Sequence, residues 1–462
     1  MSIYLHLGLK ILDYVISEKK EIKRSIESCR IKRIRRKYYD KLDSAAFVKW
    51  RNFQLYKIYH NDNYFTKVGR ITYPAFTIPF EKYYDHAAME QVISREDFNE
   101  EKIWKQGIKA DDGKVVFPKI KEVEILQNGK LSERIRKKRL YRQYRRILKQ
   151  SIKYPQLVGF SLDHYDMSSG KITKIHSKLG TYEYNVFTSH ILEFELYKAY
   201  KKLRKKNNIS IKKLWKHLPF RHYIHFEEGT KDAGEEVLFK GMRRYSLFGV
   251  QCLVLLKVPK TKDEYQVLLM KRSDNPQNVV ARPGYYQFLP SGGFELFEKQ
   301  TTRSLNKIKY NYSLKNALFR EYMEEVFNLK SFQSVPSEYH GESVEKILLN
   351  IHTKKIVNMI ERGNAHLNLL GVTVDLVGLR HEISFVLKID DEQYAQNIFI
   401  ANEEFANDDN ENTMRKSLAE VESLLNDDNT NFNPASALLY KMYKDSPFYP
   451  LREQNKNSQE TL

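Results

Sequence analysis

Two cysteines in 462 residues, Cys29 and Cys252, are too few for a disulfide framework and show no metal-ligand spacing. Such sparing use fits a reducing compartment, and a cytoplasmic protein is the expectation. No apolar run reaches 18 residues, so no membrane-spanning segment is expected. The apolar stretch from Ile3 to Ile16 is broken by His6, Lys10 and Asp13, which does not fit a secretory leader. The chain also lacks an internal repeat, a Walker loop, a dinucleotide fingerprint and a zinc-type ligand spacing. These absences leave no sequence ground for a secreted disulfide scaffold, a membrane span, a P-loop enzyme or a zinc finger.

Acidic residues are scarce in one half only. Residues 1–220 hold 48 Lys and Arg against 24 Asp and Glu, whereas residues 221–462 hold 30 against 34. The chain's net charge of +20 therefore belongs to the N-terminal half. Its densest runs are Lys32 to Lys41, Arg134 to Lys149 and Lys198 to Lys216. In the second, Leu140, Tyr144, Ile147 and Leu148 fall on one helical face, with Arg136, Lys137, Arg139, Arg142, Arg145 and Arg146 on the rest. Ile31, Ile34, Tyr38 and Leu42 repeat the pattern in the first. One reading is a polyanion partner, RNA or DNA backbone, gripped by Arg136, Arg142, Arg145 and Arg146. The others are solvated helix faces, or an N-terminal amphipathic helix lying on an anionic membrane. A 41% hydrophobic and 13% aromatic content argues for a globular chain, long enough for two or three domains.

Six residues carry the most chemistry: Arg320-Glu321-Tyr322-Met323-Glu324-Glu325. On a helix, Glu321, Glu324 and Glu325 share one face, and like charges at that spacing repel unless a cation sits among them. The opposite face, Leu318, Tyr322, Val326 and Leu329, is apolar, which predicts a helix packed on a core with its carboxylates turned outward. Magnesium is usually held by one or two carboxylates plus substrate phosphates, so an Mg2+ (or Mn2+) site handling a phosphate compound is the first hypothesis. The alternative is an acidic solvated helix beside an unrelated Gly-Gly turn. Upstream, Gly292-Gly293-Phe294-Glu295-Leu296-Phe297-Glu298 follows a strand-like Tyr285 to Leu289, and paired glycines let backbone approach a ligand closely.

Together these residues resemble the signature of the Nudix hydrolases. That box runs Gly, five residues, Glu, seven residues, then Arg-Glu-apolar-x-Glu-Glu-x-Gly-apolar. Gly292, Glu298 and the Arg320–Glu325 hexad match it. Two departures stand: 21 residues separate Glu298 from Arg320, and Phe327 replaces the family's Gly. The resemblance covers about residues 245–445. It implies an α/β/α sandwich with a mixed sheet in the C-terminal half of an α+β chain, preceded by a basic, mostly helical region. Strands are expected at 250–258, 265–270, 371–377 and 381–387, and a closing helix at 434–443 behind Pro434. The organisation read from the chain is a mostly helical region 1–150 broken around Thr72 to Pro79 by an extended, Pro-containing stretch, a mixed segment 155–244, the Nudix-like domain 245–445 and a disordered tail 451–462. Within it, 158–162 and 171–175 pair as strands, 188–203 and about 414–425 are helical, and 155–244 packs on the domain.

The resemblance implies Mg-dependent hydrolysis of the pyrophosphate in a nucleoside diphosphate derivative or an RNA 5′ end. Glu321, Glu324 and Glu325 would be metal ligands, with Arg320 pairing with a box carboxylate such as Glu298. Glu382 would complete the site or act as base; otherwise it is a solvated strand-end residue. Gly292 and Gly293 would lie against substrate, and Arg272 and Arg282 are candidates for phosphate contacts. Tyr285, Tyr286 and Phe288 either stack a base or fill the core. The insertion Lys299 to Lys315, rich in Lys, Arg and Tyr, is expected to form a mobile flap over the site. Two other classes remain open: a catalytically weak Nudix-like nucleotide sensor regulating a nucleic-acid-binding region, and a nucleic-acid-binding scaffold. Oligomeric state is open.

Overall fold

Alternation along one apolar strand sets the layers. Val250, Cys252, Val254 and Leu256 are buried in one hydrophobic cluster, while Leu253 and Leu255 are buried in another. A strand buried on both faces needs a helix layer on each. The computed structural model describes residues 29, 38, 41–42, 44–98, 101–102, 109–111, 114–148, 157–206, 208–226, 234–259, 264–272, 284–296, 305–327, 351–398, 413–427 and 430–449.

In chain order the main elements are α1 (Ala45–Tyr59), β1 (Ala75–Pro79), α2 (Leu131–Leu148), β2 (Val158–Ser168), β3 (Lys171–Thr181), α3 (Ile191–Leu203), β4 (Gly249–Lys257), β5 (Tyr265–Lys271), β6 (Tyr286–Phe288), β7 (Ser291–Gly293), α4 (Leu314–Glu325), β8 (Ala365–Asp375), β9 (Arg380–Ile389), β10 (Thr413–Ser417), α5 (Leu418–Asn426) and α6 (Pro434–Asp445). Eight strands form one mixed sheet along β6-β5-β4-β9-β8-β1, with β7 paired to β4 and β10 to β5. The β9–β4 pair is parallel and the other pairs are antiparallel. Leu314, Ala317, Leu318 and Tyr322 of α4 join the cluster on one face, and Ala437 to Tyr440 of α6 join that on the other. Asn433 caps α6 and Pro434 opens it, as Pro does where the N–H is unsatisfied anyway.

Several features differ from the sequence reading. The region 1–150 is largely helical among the described residues but is not separate from the domain: its extended break supplies β1, an outer strand of the main sheet that pairs Ala75–Pro79 with β8 across the expected boundary at 245. The stretch 414–425 is a strand, β10, then helix α5. The switch falls at Ser417, whose hydroxyl accepts from Glu420 N while Glu420 accepts from Ser417 N, a capping box that fixes the helix start. Strand β8 begins at Ala365 rather than 371, with a register shift between Leu369 and Gly371. The N-terminal stretch 3–16 and the tail 451–462 lie outside the described residues.

The hairpin β2–β3 turns at Ser169 and Gly170, both at positive φ, and its strands run longer than expected, so that 158–162 pair with 177–181 and not with 171–175. Its base is hydrogen-bonded to the strand-7 region: Phe160 N donates to Phe294 O and Leu296 N to Val158 O. On the helical side, the fully buried Arg221 donates to Tyr59 Oη, Leu376 O and Val377 O, tying α1 to the β8–β9 turn. Glu195 of α3 accepts from Phe220 N and Arg221 N, and burial pushes its carboxyl up to about 8.

Candidate active site

Ser313 starts α4, its hydroxyl accepting from Asn316 N. The helix was expected to expose its acidic face. Instead β7 and the turn around it cover that face, leaving Glu321 and Glu325 only 6% and 4% exposed and Glu324 half-buried. Leu318, Tyr322 and Val326 are buried as the periodicity predicts, and Leu329 lies outside the described residues. Phe327, where the resemblance calls for Gly, does not disturb the end. The helix closes with Val326 N donating to Tyr322 O, and Phe327 stacks on His352 at 3.9 Å.

The glycines explain how carboxylates come to be buried there. A Cβ on Gly292 would fall within the space of the Glu321 carboxyl group, so only glycine allows α4 to approach β7 this closely. Arg320 Nη2 donates both to Gly293 O and to Glu321 Oε1, bridging helix and turn. Glu325 Oε2 accepts from Ser291 N at 2.6 Å. The helix is thus hooked to both ends of β7 by its own motif residues. Burial holds the Glu321 carboxyl well above the ordinary range; Arg320 pulls it back, while Glu324, Glu325 and Glu295 push it further up.

Register carries the site across to a third strand. Gly249 pairs with both Gly293 and Glu382, placing Glu382 two strands from the glycine turn. A Cβ on Gly249 would stand 2.8 Å from Glu382 Cγ, so this second glycine makes room for the side chain. Glu382 is half-buried, not a solvated strand end, and burial raises its pKa against the pull of Arg380. It lines a cavity of about 270 Å3 with Gly292, Gly293, Glu295, Arg272 and Arg380. Tyr144 of α2 reaches the same cavity.

Of the other predicted residues, Arg272 lines the cavity and donates from Nε to Gln287 Oε1. Glu298 and Arg282 lie outside the described residues. Phe288 is fully buried and Tyr286 stacks on Phe432, so these rings fill the core rather than await a base. The insertion does not act as a loose flap over its described part. Residues 305–311 form a helix, Tyr312 is fully buried with its hydroxyl 2.7 Å from Ser177 Oγ, and Lys315 already belongs to α4. Residues 299–304 lie outside the described part.

On the basic helix α2, Arg142, Arg145 and Arg146 are exposed, and Arg136 donates to Lys216 O. Lys137 corrects the expected basic face. It is fully buried, donates to Asn128 O at 2.6 Å and sits 4.1 Å over the Tyr223 ring, with burial pulling its pKa to about 8. Tyr144, Ile147 and Leu148 are buried as expected, Leu140 is half-buried, and Tyr141 joins the packed face beside it. In the first basic run, Tyr38 and Leu42 are buried, while Ile31 and Ile34 lie outside the described residues.

Sequence reasoning missed Glu295, Arg380, Asp375, His190 and His381, all of which line the cavity. Glu295 was within sight, two residues past Gly293. A Cβ on Gly293 would meet its Oε1 at 2.6 Å, so its carboxyl folds back over the turn. Arg380 pairs with Asp375 across the β8–β9 turn at 3.7 Å. His381 is buried between Tyr165 Oη and Arg244 Nη2. Arg244 has only protons to give, so Nε2 accepts and the His381 proton sits on Nδ1. Burial and Arg244 both hold this ring far below the usual histidine range.

The donor set fits a hard divalent cation in its chemistry. Buried, mutually repelling carboxylates are costly without one, and Glu321 carries that cost. We expect Gly292→Ala to lower folding stability by about 1–3 kcal/mol through overpacking against Glu321. Denaturant unfolding measures this, and an unchanged midpoint would show that the close approach is not needed.

No protein-family model matches the chain, and no curated protein matches it.

Proposed function

We propose that the protein is a Mg-dependent pyrophosphohydrolase of the Nudix type, acting on a nucleoside diphosphate derivative or an RNA 5′ end. One observation carries the reading. The Arg-Glu-x-x-Glu-Glu helix is hooked under a Gly-Gly strand by Arg320 and Glu325, with Glu382 brought alongside by register. The mixed sheet with a helix layer on each face suits that family's sandwich.

Glu321, Glu324 and Glu325 would hold the Mg2+ or Mn2+. Bound there, the ion would neutralise pyrophosphate charge and supply an activated water. Arg320 keeps the carboxylates in place from behind, an orienting role. The backbone of Gly292 and Gly293 gives substrate a close approach. Arg272 and Arg380 offer positive charge to phosphate oxygens on the cavity wall. Glu382, brought beside the glycine turn by register and with its pKa raised by burial, is placed to take a proton from water.

The exposed arginines of α2 stand on the helix whose Tyr144 lines the cavity, which favours a polyanionic substrate such as an RNA end. A second reading, a nucleotide sensor without hydrolysis, draws on a specific feature: one oxygen of Glu321 is engaged by Arg320 and one of Glu325 by Ser291 N.

The Glu324→Gln, Glu325→Gln double variant separates the two. Gln at 325 still accepts from Ser291 N, so folding should be kept. Turnover should fall by more than about 100-fold, the upper end for losing even an outer partner of a metal ligand. A fully active double variant removes the assignment. For the basic helix, Arg142, Arg145 and Arg146 changed together to Glu should weaken RNA binding and flatten its salt dependence. Each neutralised phosphate contributes a log–log slope of about 0.7 on single strands. Unchanged affinity in filter binding would leave these arginines as solvated surface.

A further inference from the structure

A second cluster of ligand atoms lies far from the glycine turn in sequence, on the hairpin β2–β3. His164 and Asp166 are two residues apart on β2 and so point to the same face. The register sets His176 of β3 directly opposite His164. The opposite face of the hairpin, through Tyr165 and Ile175, is buried in the core. The two imidazoles stack in parallel at 4.2 Å. Ligand atoms of His164, Asp166 and His176 all lie within 4.8 Å of one another, the one such group of three or more among the described residues.

Carboxylates hold the Nδ1 side of both rings; because each Nε2 lone pair lies in its ring's plane, one of the two parallel rings turns for both to share an ion. His176 Nδ1 lies 3.1 Å from Asp97 Oδ1, and His164 Nδ1 lies 3.0 Å from Asp163 Oδ2. A carboxylate at Nδ1 holds a proton there; His176 Nε2 also hydrogen-bonds to Asp166, and an ion between them would take that proton's place. Asp97 is itself anchored: it is buried, accepts from Ser177 N and pairs with Lys102. Both Nε2 atoms face Asp166, at 3.0 Å from Oδ2 for His176 and 3.8 Å from Oδ1 for His164. The longer separation is beyond a hydrogen bond. Zinc–ligand bonds near 2.0–2.1 Å at tetrahedral angles place donors about 3.3 Å apart, and the two separations bracket that value.

We propose that His164, Asp166 and His176 bind one divalent transition-metal ion, with zinc the best fit. Two imidazole nitrogens select zinc, nickel, copper or cobalt over magnesium and calcium, which prefer all-oxygen shells. Asp166 and His164 are 52% and 41% exposed, so solvent reaches the ion and water takes the remaining position. The ion ties β2 to β3 and, through the His176–Asp97 contact, braces the hairpin against the turn at Arg95–Asp97. This site is separate from the carboxylates of α4 and does not depend on the reaction assigned to them.

The test uses the full chain without a histidine tag, dialysed against Zn2+ in excess Mg2+, with Co2+ as a spectroscopic stand-in. One equivalent of Zn2+ should be retained, and Co2+ should give visible bands of a nitrogen- and oxygen-ligated ion that Zn2+ bleaches. His164→Gln and Asp166→Asn change exposed side chains and should keep the fold. Each should weaken Zn2+ binding by at least about 10-fold, while Glu325→Gln should leave it unchanged. The proposal is overturned if the wild type retains no Zn2+. It is equally overturned if both hairpin variants hold the ion as tightly as wild type, or if Glu325→Gln is the variant that loses it.

Discussion

Arg320, held between the Gly293 carbonyl and the Glu321 carboxylate, is the contact on which the candidate active site depends. It lets a helix bring negative charge under a strand with little exposure. Gly292 removes the side chain that would block the approach, and Glu325 takes up the Ser291 N–H on the other side. Lose the guanidinium and the buried Glu321 carboxyl loses its ion pair. Breaking a buried pair by removing one partner costs about 3–5 kcal/mol, so the hexad is structural as well as chemical.

The same constraint explains the electrostatics. Glu324, Glu325 and Glu295 all push the Glu321 carboxyl up while Arg320 pulls it down. A cluster so arranged is a poor way to stabilise a fold and a good way to hold a divalent ion. Glu382 joins from the parallel strand β9, across a position kept open by Gly249. Glycines at 249, 292 and 293 therefore leave the space that the carboxylate side chains of Glu382, Glu321 and Glu295 fill.

Much of this was legible in the sequence because it is local. The hexad lies within one helix, the glycine turn within one hexapeptide, and the apolar strands announce themselves by run length. What stayed hidden was set by register and long-range pairing. Nothing near residue 75 signals that Ala75–Pro79 joins β8, since a five-residue strand carries little periodicity of its own. Arg380 and Asp375 meet only because β8 turns into β9. Lys137 read as one base among many, yet its position on the helix turns it inward onto Tyr223 and Asn128 O. The described half of the insertion looked like a flap because its composition is basic; Ile308 and Tyr312 anchor it in the core instead. His164 and His176 are twelve residues apart, and only the hairpin's pairing makes them neighbours.

The most direct measurement incubates the full-length protein with a panel of nucleoside diphosphate derivatives and triphosphorylated or capped RNA, with Mg2+, with Mn2+ and with neither. The account predicts cleavage of a pyrophosphate bond that requires the divalent ion and leaves phosphate on both products. An absence of cleavage across the panel, together with no Mg2+ or Mn2+ binding, would contradict it.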